Sequence, residues 1–143
     1  MHEFVYFFSY SASSKCAREK TLLSEPRDPV KGESGLTCKP DISIAEADAT
    51  SIDSLLFPGC YGISTLREAH ELFRFVKKVV RNDTKIFAIS SSPFNLAKAG
   101  LLENKRYTVG LSKEDREWLG VFDEKYYTDE LLVHDGNLVT ARG

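Results

Sequence analysis

The chain has 143 residues, 42% hydrophobic and 28% charged, which is ordinary globular usage and excludes a disordered or fibrous polypeptide. That length corresponds to one domain, able to bury roughly two-thirds of its unfolded surface, so it needs no disulfide or metal to hold it. The balance of 19 Lys+Arg against 21 Asp+Glu leaves a net charge of −2, so neither nucleic acid nor an anionic membrane is expected as a partner, and no apolar run approaches the ~20 residues of a bilayer span.

Taken in chain order, Met1-His2-Glu3-Phe4 carries no basic region, and residues 4–8 are too short an apolar stretch for a secretory leader. A cytoplasmic protein is expected. Phe4-Val5-Tyr6-Phe7-Phe8-Ser9-Tyr10 is aromatic and β-branched, and it predicts a buried strand. Residues 11–35 are polar and include Pro26, Pro29, Gly32 and Gly35; they predict a long loop with a short helix near residues 17–23. Asp53-Ser54-Leu55-Leu56-Phe57 predicts a strand stopped by Pro58-Gly59.

Thr65 and Glu68 have capping-box spacing, and Leu66, Ala69, Leu72, Phe73, Val76, Val79 and Val80 then recur with helical period, opposite Arg67, Glu71, Arg74, Lys77 and Lys78. Lys85-Ile86-Phe87-Ala88-Ile89 predicts the next strand, so strand, helix and strand form a βαβ unit with a parallel sheet. Ser92, Pro93 and Gly100 suit the N-cap, first position and terminator of a helix that starts almost at once. Ser112 and Asp115 open a further helix that Gly120 stops, and Leu131-Leu132-Val133-His134 with Asn137-Leu138-Val139-Thr140 predicts a hairpin about Asp135-Gly136.

Cys16, Cys38 and Cys60 are scattered and form no CxxC pair, and with His2, His70 and His134 they do not supply a zinc pattern. Three reduced thiols, no metal and no cofactor are expected. A parallel sheet binds ligands at the carboxyl ends of its strands. Two such ends stand out: Pro58-Gly59-Cys60-Tyr61-Gly62 and Ser90-Ser91-Ser92. A sharp strand-to-helix turn exposes the side chain at its tip beside backbone N–H groups, so Ser90 sits where a small nucleophile would. A serine after a buried strand is more often only a helix cap.

The stretch Ala88-Ile89-Ser90-Ser91-Ser92-Pro93-Phe94-Asn95-Leu96-Ala97-Lys98-Ala99-Gly100-Leu101-Leu102, followed by Arg106 and Thr108, resembles the elbow of the ThiJ/PfpI family, in the class I glutamine amidotransferase-like superfamily. Asp53-Ser54-Leu55-Leu56-Phe57-Pro58-Gly59-Cys60 resembles that family's D-x-L-x-x-P-G-G, and Ser34-Gly35-Leu36 with Pro40-Asp41 resembles the segment before it. Asp135-Gly136-Asn137-Leu138-Val139-Thr140-Ala141-Arg142-Gly143 resembles its D-G-N-L-I-T-x-x-G. Several motifs in the right order cover about residues 30–143 of a single domain, 1–143. The resemblance implies an α/β, flavodoxin-like three-layer sandwich: a mostly parallel sheet with helices on both faces, incomplete at both ends. It also implies a homodimer.

The departures from the pattern bear on function. The family's elbow residue is a cysteine; here it is Ser90. The histidine that follows the nucleophile in many members is Ser91, and the later loop that can supply one reads Lys125-Tyr126-Tyr127-Thr128. The second glycine of P-G-G, which offers a backbone N–H to an oxyanion, is Cys60; Gly59, Cys60 and Ser91 are the expected pocket residues and Ser90 the catalytic position. His70 reads as a solvated helix residue and His134 as a strand residue. Residues 4–10 resemble the family's second strand as well as its first, in which case the first strand, first helix and acid are missing, with Glu3 and Glu19 poor substitutes. Residues 4–8 are then expected at a sheet edge or under an uncovered face. The reading placed first is a non-catalytic member that binds a small molecule or a partner. Next comes a hydrolase or deglycase using Ser90 as nucleophile, and last an inactive truncated copy.

Overall fold

Alternation of buried and exposed positions along the central strands sets the architecture. The computed structural model describes residues 7–11, 19–24, 29–31, 35 and 37–143. In chain order the elements are β1 (Phe7–Ser11), β2 (Glu19–Ser24), β3 (Val30–Lys31), β4 (Thr37–Cys38), β5 (Ile42–Ser43), β6 (Ser54–Phe57), α1 (His70–Val79), β7 (Lys85–Ile89), α2 (Pro93–Lys98), α3 (Lys113–Leu119), β8 (Leu132–Asp135) and β9 (Leu138–Ala141). Strands β3 and β4 pair with each other, and the rest form one sheet in the order β5-β2-β1-β6-β7-β9-β8. Its centre is parallel: β6 pairs β7, and β7 pairs β9. Strand β1 runs antiparallel to both β2 and β6, and β8 antiparallel to β9.

The βαβ unit forms as its sequence predicts, with Leu55 beside Ile86 and Phe57 beside Ala88 in parallel register. These four side chains are buried, as are Leu138 and Thr140 of β9. Helix α1 adds Leu72, Phe73, Val76 and Val79 to the same core and leaves Glu71, Arg74, Lys77 and Lys78 exposed, because apolar residues three and four apart share one face. Helix α3 starts where Ser112 accepts the Asp115 N–H and stops where Gly120 turns left-handed at φ 67°. No described helix is long and apolar enough to cross a membrane.

Four local expectations change. The segment expected as a helix near residues 17–23 contributes β2, paired along its length with β1 from Phe7↔Leu23 to Ser11↔Glu19. Pairing with an available strand outweighs the modest helix propensity of Glu19 and Lys20. Strand β1 therefore lies inside the sheet, between β2 and β6, and not at an edge; residues 4–6, 12–18 and 25–28 lie outside the described residues. Thr65 and Glu68 make no capping box. The Thr65 hydroxyl donates to the Gly62 carbonyl at 2.8 Å inside a 3-10 turn, Ile63–Glu68, and α1 begins after Ala69 without a side-chain cap. The hairpin turn is Gly136-Asn137, because Asp135 still pairs with Leu138 and Gly136 takes the positive φ of 64°.

The fourth change is at Ser92, which is helical and caps nothing. Its hydroxyl oxygen lies 2.7 Å from the Phe57 carbonyl oxygen and 2.8 Å from that of Ile89, and accepts the Ile89 N–H at 3.0 Å. A fully buried hydroxyl thus satisfies backbone groups at the ends of β6 and β7, where the ladder stops.

Two stability predictions follow from this packing. Asn95 on α2 is fully buried, yet neither its amide nitrogen nor its amide oxygen has a hydrogen-bond partner among the described residues. Asn95→Leu, similar in volume, should stabilise by about 1–2 kcal/mol, read as a rise in Tm. A fall in Tm would mean the amide has partners that offset its burial. Arg116 of α3 is buried and bidentate to Glu124, at 2.7 and 2.8 Å, with its guanidinium 3.7 Å from the centre of the Tyr127 ring. The hydrogen bond from Arg116 holds the Glu124 carboxyl below its ordinary range. A depressed folded-state value contributes stability above the unfolded value of about 4.3 and loses it as pH falls through the folded one. Melting curves below about pH 5 should therefore show a shallower acid loss for Glu124→Gln than for the wild type.

Candidate functional site

The carboxyl ends of β6 and β7 meet at Ser90. Strand β7 ends at Ile89 and α2 begins at Pro93, so the chain reverses within three residues. Ser90 turns it with φ 61°; Ser90 and Asn104 are the only non-glycine residues with positive φ among those described. That conformation costs roughly 1–2 kcal/mol for a residue with a Cβ, and surrounding contacts hold it. The Ser90 N–H donates to the Ala141 carbonyl at 2.9 Å, and the Ser90 carbonyl accepts the Gly110 N–H at 2.8 Å. The end of β9 and the loop before α3 thus clamp the turn from two sides.

Three glycines let backbone close on Ser90. A Cβ at Gly59 would stand 2.5 Å from the Ser90 Cβ and 2.9 Å from its Oγ. At Gly143 it would stand 3.0 Å from the Cβ and 3.1 Å from the Oγ, and at Gly110 3.1 Å from the Ser90 Cα. Ser90 therefore sits half-buried, with main chain packed closely around it. Gly59 was legible from the sequence as a turn after a strand. The approach of Gly110, Ala141 and Gly143 was not, because only the tertiary fold brings them to the turn; the sequence marked Ala141 and Gly143 only as part of the last motif.

Ser91, 4% exposed, ties the second loop down. Its hydroxyl donates to the Cys60 carbonyl at 2.7 Å, and its oxygen accepts the Cys60 N–H at 3.1 Å. The sequence reading offered that N–H to an oxyanion; in the structure it is engaged, because a hydroxyl can accept and donate at once. The structure thus brings Gly59, Cys60, Ser90 and Ser91 together. Cys60 is half-buried.

The basic groups are placed elsewhere. Among the described residues Ser90 Oγ makes no hydrogen bond. His70, exposed at the start of α1, has its Nε2 3.1 Å from the Glu68 carboxylate, and His134, exposed on β8, has its Nε2 2.9 Å from the Gly136 carbonyl oxygen. His134 pairs with Val139, whereas the end of β9 that reaches Ser90 is Ala141. Tyr127 lies under Arg116, and the Tyr126 hydroxyl donates to the Asn104 side chain at 2.6 Å. Glu3 lies outside the described residues, and Glu19 is in β2. No described cluster of His, Cys, Asp or Glu could hold a metal ion.

The contact between Gly59 and Ser90 can be measured directly. Gly59→Ala should cost about 1–3 kcal/mol, since backbone and a short side chain must both yield. In a Ser90→Gly background the same change should cost much less, because the clashing Cβ and Oγ are gone; chemical denaturation of the four proteins gives the coupling. Additive effects would show that the two loops are not in contact.

The wider relationships agree with this geometry. The sequence profile of the DJ-1/PfpI family matches residues 5–143, which extends the matched region upstream of the motifs described above. The protein named "Putative cysteine protease YraA", from Bacillus subtilis, is 32% identical over 113 residues, covering 79% of this chain and 65% of its own. An uncharacterized protein of Staphylococcus aureus is 33% identical over 116 residues, again 79% of this chain and 66% of its own. The chain thus spans a little under two-thirds of the length of these relatives. Among solved structures, a DJ-1 superfamily protein of Agrobacterium tumefaciens superposes with a TM-score of 0.75 at 27% identity, covering 92% of this chain and 70% of that one. A ThiJ/PfpI family protein of Bacillus anthracis gives a TM-score of 0.74 at 24% identity, over 95% and 64% of the two chains, and supports the α/β fold. With a profile matched along nearly its whole length and relatives above 30% identity, the chain belongs to the DJ-1/PfpI family.

Proposed function

We propose that the chain is a DJ-1/PfpI-family member that binds a small molecule beside the Ser90 turn, at the carboxyl ends of β6 and β7, without turning it over. The observation that carries this reading is the environment of Ser90 Oγ. A serine hydroxyl stays protonated near neutral pH and needs an adjacent base to become a nucleophile, and no described base touches it. The resemblance implies a thiolate at this turn, whereas the turn carries a hydroxyl and Cys60 stands one loop away. The Cys60 N–H, which would stabilise an oxyanion, is already bonded to Ser91. What the turn retains is shape: main chain packed close on three sides, at Gly59, Gly110 and Gly143. A cytoplasmic setting fits this reading, since it would keep Cys60 reduced.

A second reading, a hydrolase or deglycase using Ser90, draws on one specific observation. Ser90 keeps the left-handed φ of 61°, and such strain persists where it has a use. Turnover separates the two. Purified protein incubated with methylglyoxal, or with a methylglyoxal-modified amine, should consume neither faster than Ser90→Ala does. Robust wild-type consumption that disappears in Ser90→Ala would replace ligand binding with catalysis. Ser90→Cys gives a further measure: a thiol there should react with an alkylating probe faster than Cys60 does in the wild type, because backbone N–H groups at the start of a helix lower a thiol's pKa.

A further inference from the structure

A cavity of about 500 Å³ opens between α1 and the segment that leads from β5 to β6, and none of Gly59, Cys60, Ser90 or Ser91 lines it. Its volume is in the ordinary range for a small-molecule pocket. The helix wall is Glu71, Arg74, Phe75 and Lys78, spaced three and four apart and so on one stripe of α1. Facing them are Ile44, Ala47 and Ala49. The charged members of the stripe reach solvent, whereas Phe75 and Ile44 are each 7% exposed and form an apolar floor. The facing wall is held at both ends. At one, the Glu46 and Ala47 N–H groups donate to the Ser43 carbonyl, each at 3.1 Å. At the other, the Arg81 guanidinium donates to the Ala49 and Ile52 carbonyls at 3.2 and 3.0 Å. The cavity is thus formed before any ligand arrives, which lowers the cost of binding.

We infer that this cavity binds a small carboxylate, its aromatic or aliphatic body on Phe75 and Ile44 and its charged head directed to Lys78 and Arg74. The charges at the mouth decide the sign. The two acids of the facing segment are spent on their own turns. Glu46 accepts the Ser43 N–H at 3.1 Å and its hydroxyl at 2.8 Å. Asp48 accepts the Thr50 N–H at 2.9 Å and its hydroxyl at 2.7 Å. Glu71 is paired with Arg74, and a guanidinium so engaged still has further N–H groups to donate. Lys78 makes no hydrogen bond or ion pair among the described residues. The unspent charge is therefore cationic, and an anion is its complement, whereas a cationic ligand would find no carboxylate left to meet it. One lysine with part of a guanidinium matches a singly charged head; a phosphate dianion would call for more donors. The inference does not depend on what binds beside the Ser90 turn.

The test is a titration of the isotope-labelled chain with indoleacetate, followed by amide chemical shifts, with tryptamine as a cation on the same aromatic body. Indoleacetate should bind saturably with a Kd of about 1 mM, ordinary for a ligand of about 13 non-hydrogen atoms. The amides that move should be those of residues 44–49 and 71–78. Tryptamine should bind at least about fivefold more weakly, Lys78→Gln should weaken indoleacetate about threefold, and Lys78→Glu about tenfold. Ala47→Leu, which fills the cavity, should remove saturable binding, with melting curves to establish that it folds. Should it not, the Lys78 variants decide alone, since that side chain is exposed and unpartnered among the described residues. Equal affinity for tryptamine, Lys78→Glu without effect, shifts centred on other residues, or no saturation by about 10 mM would each overturn the inference.

Discussion

The approach of Gly59 to Ser90 is the constraint on which the rest of the site depends. Parallel strands β6 and β7 end side by side, and their loops must share the space beyond the sheet. They do so because one loop offers a residue without a side chain at the point where the other turns left-handed. A Cβ at Gly59 would fall 2.5 Å from that of Ser90, so the two loops could not both keep their paths. The closeness then lets Ser91 reach the Cys60 backbone and Ser92 reach that of Phe57. Three consecutive serines thus divide two tasks: the first takes the strained turn, and the next two bond main chain of the neighbouring loop and strand ends.

This arrangement bears on chemistry through where polar groups are spent. A site built for nucleophilic attack keeps a base on the nucleophile and free N–H groups for developing charge. Here the N–H of Cys60 and the hydroxyl of Ser91 are engaged with each other, and the imidazoles of His70 and His134 lie against Glu68 and a hairpin carbonyl. The turn is held by backbone hydrogen bonds to Ala141 and Gly110, but among the described residues its hydroxyl makes none. The proposed reading, binding without turnover, rests on that unactivated hydroxyl.

The two faces of the sheet express the same pleat with different outcomes. One set of alternating residues is packed under α1 and α2 and forms the core. The other set carries Leu56, Phe87 and Ile89 with much of their surface in solvent. Because the period is two, the strand that places Ile86 and Ala88 inward must place Phe87 and Ile89 outward. The character of those outward residues is what sets this face apart from an ordinary solvated one.

What the sequence by itself determined was a set of elements with local signatures. The apolar runs of β6 and β7, the helical period of α1, the Ser112 and Gly120 boundaries of α3 and the hairpin of β8 and β9 each follow from residues within a few positions of one another. The ordered motifs, from Pro58-Gly59 to Asp135-Gly136, further specified the family. Only the tertiary structure decided the rest. The segment read as a helix became β2 because β1 offered it a pairing partner. Ser92 left its expected cap for carbonyls of β6 and β7, and Ser91 took the N–H reserved for an anion. Gly110 and Gly143 arrived at the turn from distant parts of the chain. Each of these depends on contacts that exist only once the sheet has closed. Local propensities of a fraction of a kcal/mol yield to a buried hydrogen bond, whose loss costs about 1–3 kcal/mol, so the outcome at such positions belongs to the fold and not to the segment.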